Sequence, residues 1–293
     1  MITLNKRDVL IQSCLRKALL GEVYTTPKPG LVDRRDTGAH TDMNVHTFEV
    51  STEAVIPGLT QMFLEACVWK NTPESLFLHI REIGKETEKA MYCATGGVNT
   101  HKGLIFTLGI INAAAGFCLG HKRKLQMTEL FETSQQMTEQ ILEDEFEKIR
   151  LRHPVSHGEQ VYQLYGQKGI RGEAQKGFPV LRDIAWPMLR SLRKMEIEEN
   201  ACNIHTLLAV MSVLDDTNVL TRGSQEDLRW LKKEAEEILK EGGMFTAAGR
   251  ERLEELNIAC IQKNISPGGA ADYLAAAIFL VNLENIATLL EGC

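Results

Sequence analysis

Residues 124–150, KLQMTELFETSQQMTEQILEDEFEKIR, run for 27 residues without Gly or Pro and are rich in Gln, Glu, Met, Leu and Ile. Gln, Glu, Met and Leu lose little rotamer freedom in a helix, so the stretch reads as one long helix. Outward from it, apolar residues recur at spacings of three and four. Val9, Leu10, Cys14, Leu15, Ala18 and Leu19 do so near the start, and Leu228, Leu231, Ala235, Ile238 and Leu239 further on. Alternating β-branched runs bounded by hairpin turns are missing. The expected fold is all-α: a single large domain over residues 1–293, with ten or so helices around buried central ones.

Two apolar segments are candidates for that centre, Gly103 to Gly120 (GLIFTLGIINAAAGFCLG) and Ala270 to Leu283 (AADYLAAAIFLVNL). Both fall at or below the roughly 20 apolar residues a membrane span needs, and Asp272 opens the second. Helices apolar all round belong inside a large helical protein. With 33 Lys and Arg against 39 Asp and Glu, the net charge is −6, which disfavours nucleic-acid polymers and membrane surfaces as partners. Small anionic ligands remain compatible with it. The seven dispersed cysteines lack metal-ligand spacing and read as reduced thiols. Gln12, Ser13, Arg16 and Lys17 interrupt the first apolar stretch, so no export signal is expected and the protein is read as cytoplasmic.

Five polar segments dense in Gly and Pro separate the helices, and these carry the chemistry. In Thr26 to Met43 (TPKPGLVDRRDTGAHTDM), Lys28, Asp33, Arg34, Arg35, Asp36, His40 and Asp42 alternate in sign along an unusually long connection. Thr95 to Gly103 (TGGVNTHKG) offers Asn99 or Thr100 as a helix cap, with His101 and Lys102 just inside; taken alone it is equally a solvated loop. Gly169 to Pro179 (GIRGEAQKGFP) holds Arg171 and Glu173, and a salt-bridged turn is the competing reading. Asp215 to Gly223 (DDTNVLTRG) places Asp215 and Asp216 at the end of the helix starting at Ala201, where the dipole disfavours carboxylates and a cation such as Mg²⁺ relieves the cost, unless the pair is a plain surface turn. In Asn264 to Asp272 (NISPGGAAD), Ser266 and Pro267 open a helix whose Gly268 and Gly269 leave backbone N–H groups uncovered for an anion, or pack the helix tightly.

In this order, these five segments resemble the triphosphoribosyl-dephospho-CoA synthase family over residues 16–281, and most closely its citrate-lyase branch rather than the related malonate-decarboxylase branch. Ala270 stands where the family pattern carries Ser, and Ser224 where it carries Gly. The fused carrier-transferase domain of some members is not expected here. The resemblance implies that ATP and 3′-dephospho-CoA react to give 2′-(5″-triphosphoribosyl)-3′-dephospho-CoA and adenine. ATP is then a ribosyl donor, and the product passes to a carrier-protein transferase. A homodimer is compatible with the sequence.

A hydroxyl must attack C1′ of the ATP ribose through an oxocarbenium-like state while adenine leaves. The implied triphosphate clamps are Lys28, Arg34, Lys102, Arg171 and Arg222, with Gly268 and Gly269 at a helix start. Asp215, Asp216, Asp42 and Asp272 are the candidate Mg²⁺ ligands. Asp216 is also the candidate for the oxocarbenium centre, Asp33 or Glu173 for the base, and His40 and His101 for acid or base. Asn99 and Asn218 orient ribose or adenine. Two alternatives are an all-α Mg²⁺-dependent nucleotide glycohydrolase or phosphohydrolase, and a non-catalytic helical nucleotide-binding protein.

Overall fold

The long Gln/Glu-rich stretch is one helix from Met127 to Arg150 in the computed structural model, which describes residues 6–122 and 124–291. It is α5 of thirteen α-helices among the described residues, where no strand occurs. The others used below are α1 (Lys6–Tyr24), α2 (Val45–Val68), α3 (Pro73–Ala94), α4 (Lys102–Lys122), α7 (Gly169–Gln175), α9 (Glu199–Met211), α10 (Thr217–Arg222), α11 (Gln225–Lys240), α12 (Ala247–Gln262) and α13 (Gly268–Glu291). The count exceeds the expected ten because short helices form inside segments read as loops: GIRGEAQ is α7 and TNVLTR is α10.

The two membrane-like segments lie in α4 and α13, whose most apolar windows are 78% and 56% buried inside the fold. Glycine explains how α4 sits so deep. A Cβ at Gly116 or Gly120 would run into the backbone carbonyls of Phe63 and Cys67, so these positions let α4 lie directly on α2. Phe63, Leu108, Ile111 and Phe279 are fully buried in a core that draws residues from all thirteen helices. Replacing such a buried Phe with Ala costs about 3–5 kcal/mol.

The same packing gathers the polar segments. The start of α4 and the start of α13 lie side by side, and a side chain at Gly103 would collide with the carboxylate of Asp272. Six cysteines are unbridged, and burial pushes the Cys14 and Cys260 thiols up to about 12, so neither is a thiolate at neutral pH. Cys293 lies outside the described residues.

Candidate active site

Four of the five polar segments converge on one cavity of about 140 Å³. Lys28 and His40 come from the α1–α2 connection, Asn99, His101 and Lys102 from the entry to α4, Asn218 and Arg222 from α10, and Gly268 and Asp272 from the start of α13. The fifth segment, Gly169 to Pro179, contributes nothing to its lining.

Asp216 is 3% exposed and does not sit at a negative helix end as the sequence suggests. The helix from Glu199 stops at Met211, and Asp216 is instead the N-cap of α10. Its Oδ1 accepts the N–H of Asn218 at 2.9 Å and its Oδ2 that of Ala270 at 3.0 Å, so one carboxylate caps α10 and α13 together. Gly269 permits this approach, since a Cβ there would lie 3.0 Å from the Asp216 carboxylate. The anion at the start of α13 is therefore the protein's own. Burial pushes the Asp216 carboxyl upward, and the surrounding backbone N–H groups pull it back.

On the cavity lining, Lys28 and Glu22 form a buried ion pair. Asp272, half-buried on the cavity lining, receives no hydrogen bond from any described residue. Desolvation, then the charges of Asp216 and Glu22, push its carboxyl well above the usual range. His101 is 3% exposed, with the Phe48 ring edge-on at 5.2 Å. Its Nδ1 lies 2.6 Å from Ser51 Oγ, which is 2.6 Å from Thr100 Oγ1, while Nε2 is buried with no partner. Burial, with a smaller push from the Lys28 ammonium, lowers His101 to about 3 and keeps it neutral.

His40 is held differently. Arg222 Nη2 lies 3.1 Å from its Nδ1, and because a guanidinium only donates, Nδ1 accepts and Nε2 carries the proton toward Ser266 Oγ at 2.8 Å. Both ring nitrogens are thus used. Arg222 also donates to the Ala39 carbonyl and to Asn264 Oδ1, each at 2.9 Å, tying the long connection to the α12–α13 turn. Burial and Arg222 both lower the His40 pKa.

Several expected site residues lie elsewhere. Asp33 is buried, but its carboxylate accepts the N–H groups of Lys28, Arg35 and Asp36 and so shapes its own loop. Arg34 stacks on the Tyr24 ring at 4.1 Å in a separate groove on the α1 side. Asp42 is exposed, 3.6 Å from His40 Nδ1. Asp215 turns outward to pair with Lys232 of α11. Glu173 accepts from Tyr273 Oη at 3.0 Å and the Val180 N–H at 3.1 Å. Arg171 lines a different cleft, beside Glu145 and Glu159. Lys102 stands at the edge of both cavities, and Asn99 accepts its N–H at 3.3 Å.

Glu22 and Ser51 escape the sequence reading, and Thr100, read there as a helix cap, instead contacts Ser51. Glu22 had a signal: with Ile11, Leu15 and Ala18 it occupies the buried stripe of α1, where an acid has no business unless partnered. Ser51, among the apolar positions of α2, gives none. No group of three His, Cys, Asp or Glu side chains converges as a metal cage among the described residues. Among the described lining residues Asp272 is the carboxylate without a cation partner, which fits only the lesser demand of Mg²⁺, usually held by one or two carboxylates plus substrate phosphates.

No solved structure matches the chain. A probable 2-(5″-triphosphoribosyl)-3′-dephosphocoenzyme-A synthase of Malonomonas rubra is 37% identical over 270 residues, covering 92% of this chain and 85% of the relative. The model of the ATP:dephospho-CoA triphosphoribosyl transferase family matches residues 9–289, nearly the whole chain. The protein belongs to the ATP:dephospho-CoA triphosphoribosyl transferase family.

Proposed function

We propose that the cavity around Asp272 and His101 is where the triphosphoribosyl group of ATP passes to a ribose hydroxyl of 3′-dephospho-CoA. Adenine leaves, and the product is 2′-(5″-triphosphoribosyl)-3′-dephospho-CoA, the precursor of the citrate lyase prosthetic group. The observation that carries this reading is an unpartnered carboxylate, Asp272, lining the same cavity as the unpartnered ring nitrogen of a neutral histidine.

In the reaction the C1′–N bond to adenine breaks as a new C1′–O bond forms, through an oxocarbenium-like state. The Asp272 carboxylate faces the cationic sugar and takes the proton of the attacking hydroxyl. Its raised pKa makes it a stronger base than an exposed Asp. His101 stays neutral. In our reading the Thr100 hydroxyl donates to Ser51 Oγ, and Ser51 donates to Nδ1, which leaves Nε2–H to hydrogen-bond the departing adenine. The base takes up its missing proton on release. Arg222, Lys28 and Lys102 attract the triphosphate. Mg²⁺ carried on the triphosphate would neutralise phosphate charge, leaving the Asp272 carboxylate free to act as base. Asp216 and His40 hold the walls. The product is proposed to pass to a carrier-protein transferase in the cytoplasm, with residues 1–293 acting as one domain.

Mass spectrometry of a reaction with ATP, Mg²⁺ and dephospho-CoA tests this. The expected result is a mass gain equal to triphosphoribosyl, with one adenine per product. Inorganic phosphate or free ribose 5-triphosphate without a coupled CoA product would overturn it in favour of hydrolysis.

A further inference from the structure

Beside the cavity, α3, α4 and α5 enclose a larger cleft of about 590 Å³, within the size range of small-molecule sites. Its floor is apolar, formed by Met62, Phe77, Ile80, Ile105, Phe106 and Ile149. Six cations line it against three carboxylates, although the whole chain carries −6. Each carboxylate already has a cation: Arg81 pairs with Glu145 at 2.6 Å, Arg152 with Glu159 at 2.8 Å and Lys102 with Glu88 at 3.1 Å. Lys148 pairs with none among the described residues. Lys102 lines both cavities, so the cleft opens beside the reacting site.

We propose that this cleft holds the pantetheine arm of 3′-dephospho-CoA, with the diphosphate on the cationic rim and the acceptor ribose at Lys102. The inference rests on the cavity being the transfer site. Charge and polarity select the occupant. The triphosphate of ATP gains nothing from an apolar floor, whereas the acceptor joins an uncharged, partly aliphatic arm to a diphosphate. Arg171 then serves the acceptor, not the ATP triphosphate.

Gly84 of α3 gives the test, because a Cβ there meets only Met62 Cε at 3.6 Å, an ordinary contact, and a longer side chain enters the cleft. For the full-length Gly84→Leu protein, KM for dephospho-CoA rises at least about tenfold and KM for ATP stays within about twofold. Binding of 4′-phosphopantetheine, read by calorimetry without turnover, is lost. Lys148→Glu, on an exposed position, keeps the test independent of folding in the first variant and raises KM for dephospho-CoA by about threefold or more. Unchanged dephospho-CoA KM and phosphopantetheine binding in both variants overturn the proposal. So does a rise confined to ATP, which assigns the cleft to the donor. If the wild-type protein makes no coupled product, the transfer reading fails instead, and phosphopantetheine binding still decides the cleft.

Discussion

Asp216 Oδ2 accepts the backbone N–H of Ala270 at 3.0 Å, joining the first turn of α10 to the first turn of α13 across 54 residues of sequence. With Asn218 on its other oxygen, the carboxylate is shared between two helix N-termini that frame the cavity. The wall of the site thus depends on a side chain whose chemistry is spent on the scaffold.

Asp216→Asn therefore costs stability first. An amide can offer its oxygen to only one helix, and its NH₂ then faces the N–H groups of the other. The expected loss is about 2 kcal/mol, or about 5 °C in Tm by calorimetry, with or without Mg²⁺. An unchanged Tm with abolished adenine release would return Asp216 to a metal or oxocarbenium role.

His101 makes stability fall on the acid side. Its folded pKa of about 3 lies below the ordinary histidine value near 6.5, so the unfolded chain takes up a proton the folded one refuses. The contribution is complete above about pH 6.5 and is lost as pH falls toward 3, reaching about 3 kcal/mol at pH 4. Urea unfolding of His101→Gln should lose that much less between pH 7 and pH 4 than wild type. Parallel curves would contradict the burial argument.

Arg222→Lys keeps the charge and loses the fork. A lysine cannot reach the Ala39 carbonyl, Asn264 and His40 Nδ1 together. Amide hydrogen exchange in residues 30–43 should quicken by about tenfold, with a raised KM for ATP. Wild-type exchange rates would show that the latch is not holding the connection.

Much of this is legible in the sequence, and the rest fails for one physical reason. Helical periodicity and apolar runs mark α4, α5 and α13 because burial is written along one chain. The place of Lys28, His101, Lys102 and Asp272 on one cavity follows from polar groups beside Gly and Pro at helix boundaries, which rarely serve packing alone. Direction is not legible. Asp215 and Asp216 are adjacent, yet one reaches out to Lys232 and the other is buried between two helices. Asp33 looks like a base until its three backbone donors are seen, and the Gly-bearing GIRGEAQ forms a helix only because tertiary packing overrides propensity.

The role proposed for Asp272 comes with a cost in stability. Its folded pKa is raised, so the stabilising neutral form is fully present below the unfolded value near 3.9 and is lost as pH rises through the folded one. Asp272→Asn should thus gain more stability, relative to wild type, at pH 8 than at pH 4. Equal Tm differences at both pH values would contradict the raised pKa. In wild type, kcat/KM should fall on the acid side at a pH above the ordinary carboxylate range.

Asp272 is proposed as the carboxylate at the reacting sugar. Adenine release from ATP in the presence of dephospho-CoA, measured for folded Asp272→Asn protein, tests it most directly. The expected rate is at least about a thousandfold below wild type. Release at the wild-type rate would contradict it.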